Sequence, residues 1–217
     1  MFIKDYISKD YPAFNHSDSI EEACEMAREF GYSHVFIKRK GAYVGALSQN
    51  FLEESPEGPL SSLELHFEKF AILEDGNLLD TVKLFYTFNA NIVPIIGKNE
   101  KYLGYICSDD IFNEFSKYPL FSESGAILTV QTKTVHYSFS EITQIVESNN
   151  AKIFGCFVSA INEDNIEITL KISSEHLSSI DQTFERYGYV IKNKHYGDEK
   201  EDLMKDRYGF LQKYMEL

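Results

Sequence analysis

Two short polar corners hold the residues best placed to do chemistry. Gly104-Tyr105-Ile106-Cys107-Ser108-Asp109-Asp110 closes an apolar stretch with a thiol, a hydroxyl and two carboxylates. Gly45-Ala46-Leu47-Ser48-Gln49-Asn50-Phe51 has the same layout with one hydroxyl. Adjacent carboxylates can share acid and base work only when both face one substrate, but Asp109 and Asp110 sit side by side at a predicted helix start and point in different directions. Each of Ser108, Asp109 and Asp110 also suits the plainer task of an N-cap. The six histidines, His16, His34, His66, His136, His176 and His195, show neither a metal-binding nor a nucleophile–base spacing. Lys38, Arg39, Lys98 and Lys101 are candidate phosphate ligands, yet they lie at predicted turns where solvated hairpin tips are the ordinary outcome. Cys24, Cys107 and Cys156 are an odd number, widely spaced and set among apolar residues, which predicts reduced, buried thiols in a cytoplasmic protein. This inventory contains no catalytic set, and the expectation is that the chain is not an enzyme.

The charge balance narrows the partners. Over 217 residues, 34 acidic side chains outnumber 21 basic ones for a net charge of −13, and the excess is spread along the chain. Nucleic-acid binding needs concentrated lysine and arginine, so it is not expected. No apolar run nears the roughly 20 residues of a membrane-spanning helix. Met1-Phe2-Ile3-Lys4-Asp5 also lacks the layout of a signal peptide. The length suits one or two domains with real cores.

The elements that must position the corners are repeated. Ile20, Ala23, Cys24, Ala27 and Phe30 are matched 58 positions later by Leu78, Thr81, Val82, Phe85 and Phe88. Past one inserted residue, Tyr43, Val44, Gly45, Leu47 and Leu52 recur as Tyr102, Leu103, Gly104, Ile106 and Ile111. Each copy reads as an amphipathic helix, an apolar strand, a turn and a second strand ending at a corner. Ser19 with Glu22, and Asn77 with Asp80, predict capping boxes at the helix starts. Gly31 and the stretch Asn89 to Asn91 predict their ends. His34 to Ile37 and Ile92 to Ile96 read as strands covered on both faces. Such a unit cannot bury its own apolar face, so the copies should pack together. Copy one spans about 1–54 and copy two about 60–117 of a region 1–118. Glu54-Ser55-Pro56-Glu57-Gly58-Pro59 reads as a linker between them, and 60–70 as a short helix.

A different rhythm follows a second predicted linker, 119–124, where Pro119 should stop the preceding helix. Strands are expected at Ile127 to Gln131, Ala151 to Ile161, Ile166 to Ile172 and Tyr189 to Ile191. Ser138 with Glu141 opens one helix through Ile142, Ile145 and Val146, and Leu177, Ile180, Phe184 and Tyr187 mark another. The order βαββαβ over 125–196 implies a ferredoxin-like sandwich. The tail 197–217 reads as an amphipathic helix bearing Met204, Tyr208, Leu211 and Met215, suited to docking on its own domain or on a second subunit. The fold class is therefore α+β: a tandem repeat pair plus a C-terminal ferredoxin-like domain.

The strand Ile92-Val93-Pro94-Ile95-Ile96, the corner from Gly104 to Phe112 and its partner from Gly45 to Leu52 resemble a tandem pair of cystathionine-β-synthase (CBS) domains. Residues 125–196 resemble an ACT domain, and the combination is similar to the acetoin-utilisation-type regulatory proteins of bacteria. The resemblance implies homodimerisation and an adenosine-containing ligand, such as AMP, ADP, ATP or a relative, bound between the repeats with no cofactor required. A carboxylate can accept both ribose hydroxyls, and a helix start adds amide donors. In the family pattern a hydroxyl residue follows the glycine by three and an aspartate by six. Copy two has Asp110 but Cys107 in the hydroxyl place, beside Ser108, while copy one has Ser48 but Phe51 in the aspartate place. Pro94 and Ile95 are candidates for an apolar adenine slot. The ACT-like part has no glycine near His136-Tyr137-Ser138-Phe139-Ser140, so strand pairing is expected there rather than amino-acid sensing.

Two functions stay open on these residues. One is a regulatory sensor of an adenosyl ligand acting on an unknown target protein. The other is an interaction and dimerisation protein whose nucleotide sites have degenerated, to which Phe51 and Cys107 both point.

Overall fold

The computed structural model describes residues 3–195 and divides the chain into two compact units, Met1–Phe115 and Ser116–Leu217. The predicted tail helix lies outside the described residues.

In the first unit the repeat is physical. Copy one runs β1 (Phe14–Asn15), α1 (Ile20–Phe30), β2 (His34–Arg39), β3 (Ala42–Ser48) and α2 (Gln49–Glu53). Copy two runs β4 (Ile72–Leu73), α3 (Leu78–Thr87), β5 (Ile92–Ile96), β6 (Tyr102–Cys107) and α4 (Ser108–Phe115). Each forms a three-stranded sheet, β1-β2-β3 or β4-β5-β6, with the short first strand parallel to the second and the third antiparallel to it. The register is shared as well: Phe14 faces Ile37 and Ile72 faces Ile95, and both antiparallel ladders slip at the equivalent step, Ile37/Lys38 and Ile95/Ile96. One core, from Ile3 to Ile111, runs through both copies.

Ser19 and Asn77 cap their helices from one side only. Ser19 and Asn77 accept from the amides of Glu21 and Leu79, two residues on rather than three, while Gly31 ends α1 in the left-handed region. The predicted linker 54–59 is held by hydrogen bonds to the start of copy one. The Ile20 amide donates to the Gly58 carbonyl and the Leu60 amide to that of Asp18, so the turn closes over the start of α1 before a 3-10 helix at Leu60–His66.

Glycine explains how the copies meet. Gly45 and Gly104 occupy the left-handed side of backbone space at φ of 155° and 146°. A Cβ on Gly45 would lie 2.7 Å from that of Phe67, and one on Gly104 would strike the Ser8 carbonyl oxygen. Only glycine allows such an approach. It lets the segment leading into each copy pair with the last strand of the other. Ser8 and Tyr105 exchange both backbone hydrogen bonds, at 2.8 and 3.0 Å, and Ala46 and Glu68 do so at 2.9 Å each way. Deeper in, the Ser33 amide donates to Asn91 Oδ1 at 2.8 Å and the Asn91 amide to Ser33 Oγ at 2.9 Å, joining equivalent positions reciprocally.

The second unit begins with α5 (Pro119–Ser122), one helical turn inside the predicted linker. Pro119 stands at a position where its missing N–H costs nothing, so the proline that ends one helix also begins this turn. Then follow β7 (Ala126–Lys133), α6 (Phe139–Ser148), β8 (Ile153–Ile161), β9 (Asn165–Ile172), α7 (Leu177–Arg186) and β10 (Val190–His195). The sheet is antiparallel in the order β10-β7-β9-β8, and the alternation in β9 buries Ile166, Ile168, Leu170 and Ile172 beneath α6 and α7. Ser138 accepts from the Glu141 amide at 3.3 Å, as its spacing predicts.

Candidate functional site

The copy-two corner is assembled at the start of α4. Cys107 ends β6 and Ser108 begins the helix, so one turn later the Asp110 carboxylate swings back over the corner. Its Oδ2 accepts from the Cys107 amide at 3.3 Å and from the Cys107 thiol at 3.0 Å. Burial first, and Asp110 second, push the thiol up to about 11, so the sulfur keeps its proton and remains the donor. The Ser108 amide donates to the Asn91 carbonyl at 2.9 Å. Cys107, Ser108 and Asp110 thus form one local cap, with a thiol where a hydroxyl was expected.

The copy-one corner is the same device with different residues. Ser48 caps α2, accepting from the Phe51 amide at 3.3 Å, and the Phe51 ring packs on His66 with centroids 4.9 Å apart. Pro94 and Ile95 are consecutive in β5 and face opposite ways, yet both are buried, Ile95 within the shared core.

Open space between the repeats lies instead at the hairpin end of β3. A groove of about 640 Å³ is walled by Tyr43 and Val44 of copy one, Phe67 and Phe70 of the connecting segment, and Ile96 of copy two. The Tyr43 hydroxyl donates to the Phe70 carbonyl at 2.8 Å and fixes that wall. Arg39, Glu64, Lys69 and Glu100 ring the opening. Arg39 pairs with Glu64 at 2.6 Å, and His16 approaches the same carboxylate at 3.4 Å; Arg39 is the main reason that the Glu64 carboxyl is held below the usual range. Of the cations singled out by sequence, Arg39 alone lines this groove. Lys69 and Phe67 were not marked by sequence, and Tyr43 was marked only as a repeat position. The signal that could have found them is Gly45, because a glycine facing a close approach implies a chain segment packed against it.

Behind the groove sits a buried polar residue. His34, 1% exposed, shares a 2.8 Å hydrogen bond with Ser33 Oγ through Nδ1, while its Nε2 has no hydrogen-bond partner and stands 3.5 Å from Glu68 Oε2. Ser33 Oγ also accepts from the Asn91 amide, which ties the imidazole to the crossing between the copies. Burial pushes His34 down to about 4 and the Glu68 carboxyl upward, so the two are better described as a neutral imidazole beside a carboxyl group than as an ion pair. The Phe70 ring stands edge-on to His34 and stacks on Phe88 at 4.2 Å. Among the described residues no cluster of histidine, cysteine and carboxylate side chains could hold a metal ion, and no helix is long and apolar enough to cross a membrane.

A family model described as the CBS domain matches residues 3–50, the whole of copy one up to its corner. Copy two repeats the strand order and register of the matched copy. Among solved structures, the chain is similar to a CBS domain pair/ACT domain protein from Thermotoga maritima at 16% identity, over 53% of this chain and 96% of that one, with a TM-score of 0.47. It is also similar to the CBS domains of a transcriptional regulator from Streptococcus pneumoniae at 13% identity, over 52% and 98%, with a TM-score of 0.46. A third similar structure is a CBS domain pair solved with 5-methylthioadenosine and S-adenosyl-L-methionine, at 22% identity over 54% and 96%, with a TM-score of 0.43. No curated protein matches the chain.

Proposed function

We propose that this chain is a non-enzymatic regulatory protein that binds an adenosine-containing ligand between its CBS repeats and passes the change to a partner protein. The observation that carries the reading is the groove. It lies between the copies, its size is within the range of small-molecule sites, and its lining mixes aromatic and apolar side chains with four charged ones. A purine can use such walls. A ligand touching both copies favours one arrangement of them over another only through its different affinity for the two, which is what regulation requires. The reading includes a cytoplasmic homodimer. It takes the second unit as ACT-like, supported by its βαββαβ order and by a sheet whose helices share one face.

The second reading, an interaction and dimerisation protein with degenerate sites, is favoured by one specific observation: the polar groups of both corners are turned inward as caps, Asp110 on Cys107 and Ser48 on Phe51. Thermal unfolding with adenosine, AMP, ADP and ATP separates the two. A ligand at about 100 times its Kd stabilises the protein by about 2.7 kcal/mol, and no shift with any of the four leaves the second reading standing. Val44→Glu should abolish the shift while Asp110→Asn retains it; the reverse result would move the site to the copy-two corner.

A further inference from the structure

The charges around the groove say which adenosyl compounds it takes. Two cations, Arg39 and Lys69, are matched by two carboxylates, Glu64 and Glu100, so the ring has no net charge. Arg39 is already committed to Glu64, which also has His16 beside it. Lys69 and Glu100 remain as one exposed cation and one exposed anion, carried by the connecting segment and the copy-two hairpin. A polyphosphate brings several negative charges and needs converging cations or a row of amide donors. Here it would set those charges against two carboxylates, on a chain of net charge −13. An uncharged nucleoside meets no such opposition. A nucleoside ending in both an ammonium and a carboxylate would meet Glu100 and Lys69 in turn, with its apolar stem along Val44, Phe67 and Ile96.

Resting on the function proposed above, we infer that the groove selects adenosyl compounds whose end away from the base is neutral or zwitterionic and rejects nucleoside polyphosphates. Rejection comes from a rim with no net positive charge on an acidic chain, and selection from Lys69 and Glu100 together. The mixed rim is thus a filter on ligand charge, where the aromatic walls are indifferent to it.

Isothermal titration of the full chain with S-adenosylhomocysteine, adenosine and ATP tests this. S-Adenosylhomocysteine should bind at least about ten-fold more tightly than ATP. Glu100→Gln should strengthen ATP binding about five-fold, weaken S-adenosylhomocysteine binding and leave adenosine unchanged. ATP binding most tightly of the three would overturn the charge filter and leave the adenosyl reading intact. Three affinities that move together in Glu100→Gln would also overturn it, since a site that merely loosened would lose all three. Failure of every probe to bind would take down both.

Discussion

Copy one and copy two share a backbone and differ in what they put on it. On the outer face of the helices, Arg28 and Glu53 of copy one form an ion pair at 2.9 Å. The equivalent residues of copy two are Tyr86 and Phe112, which stand 89% and 70% exposed, with Leu79 and Val82 beside them where copy one has Glu21 and Cys24. At the head of the middle strand, copy one buries His34 where copy two buries Ile92. At the corners Ser48 and Phe51 stand against Cys107 and Asp110. The lesson is that the βαββ unit is carried by glycines, caps and core residues, which the copies keep, while its outer helix face and corners are free to diverge.

The largest effect should come from the glycine that copy two cannot spare. Gly104→Val would press a side chain into the Ser8 backbone, in a backbone region that L-residues avoid, and should cost more than about 3 kcal/mol in denaturant unfolding. Gly45→Val meets the Phe67 Cβ at 2.7 Å and the Glu68 carbonyl oxygen at 3.1 Å, a less severe overlap than at Gly104, and should cost less. Equal losses would mean that the two crossings are not distinguished by what they face.

Next is the buried imidazole. The native His34 is pushed down to about 4 by burial, below its ordinary value of about 6.5, so between those values the unfolded chain binds more protons. Its contribution is therefore whole above pH 6.5 and is lost as pH falls towards 4, by up to about 3 kcal/mol. Glu68, raised by burial, acts in the opposite direction as its carboxyl protonates. His34→Ile, which imports the copy-two residue, should flatten the pH dependence of stability between 6.5 and 4. An unchanged slope would show that His34 is not its source.

A smaller effect is expected at the corner. Asp110→Ala removes the acceptor of the Cys107 amide and thiol and should cost about 1 kcal/mol in thermal unfolding, whereas Phe51→Asp, importing the carboxylate into copy one, should leave the Ser48 cap in place. The smallest change in stability, within about 0.5 kcal/mol, should follow Tyr86→Arg with Phe112→Glu, which copies the polar face of copy one onto copy two. Its effect should show in weaker retention on a hydrophobic column. Undiminished retention would mean that this face does not dominate the apolar surface of the protein.

Much of the scaffold was legible in order. Periodicity of 3.6 located α1, α3, α6 and α7, alternation located β9, and continuous apolar runs located β2 and β5, because each stretch is long enough to show its pattern. The strands β1 and β4 have two residues each and no period to read. The turn at 54–59 shows a related limit. Proline and glycine announce a bend, but that this one closes over the start of α1 depends on partners distant in the chain.

The candidate site divides along the same line. Gly45, Gly104, Ser48, Cys107 and Asp110 were visible as a repeated corner, since their spacing is local. That the corner groups bond to one another, that Pro94 and Ile95 lie inside the protein, and that a groove opens at Tyr43, Phe67 and Ile96 all depend on residues brought together from three parts of the chain. The sequence by itself determined the doubling of the unit, its helices and its two glycine corners, because caps, periods and backbone freedom act over a few residues. Only the tertiary structure decided how the copies interlock, through Ser8 on Tyr105 and Glu68 on Ala46, and where they leave space. A cavity is made by what distant segments fail to fill, and no local pattern encodes it.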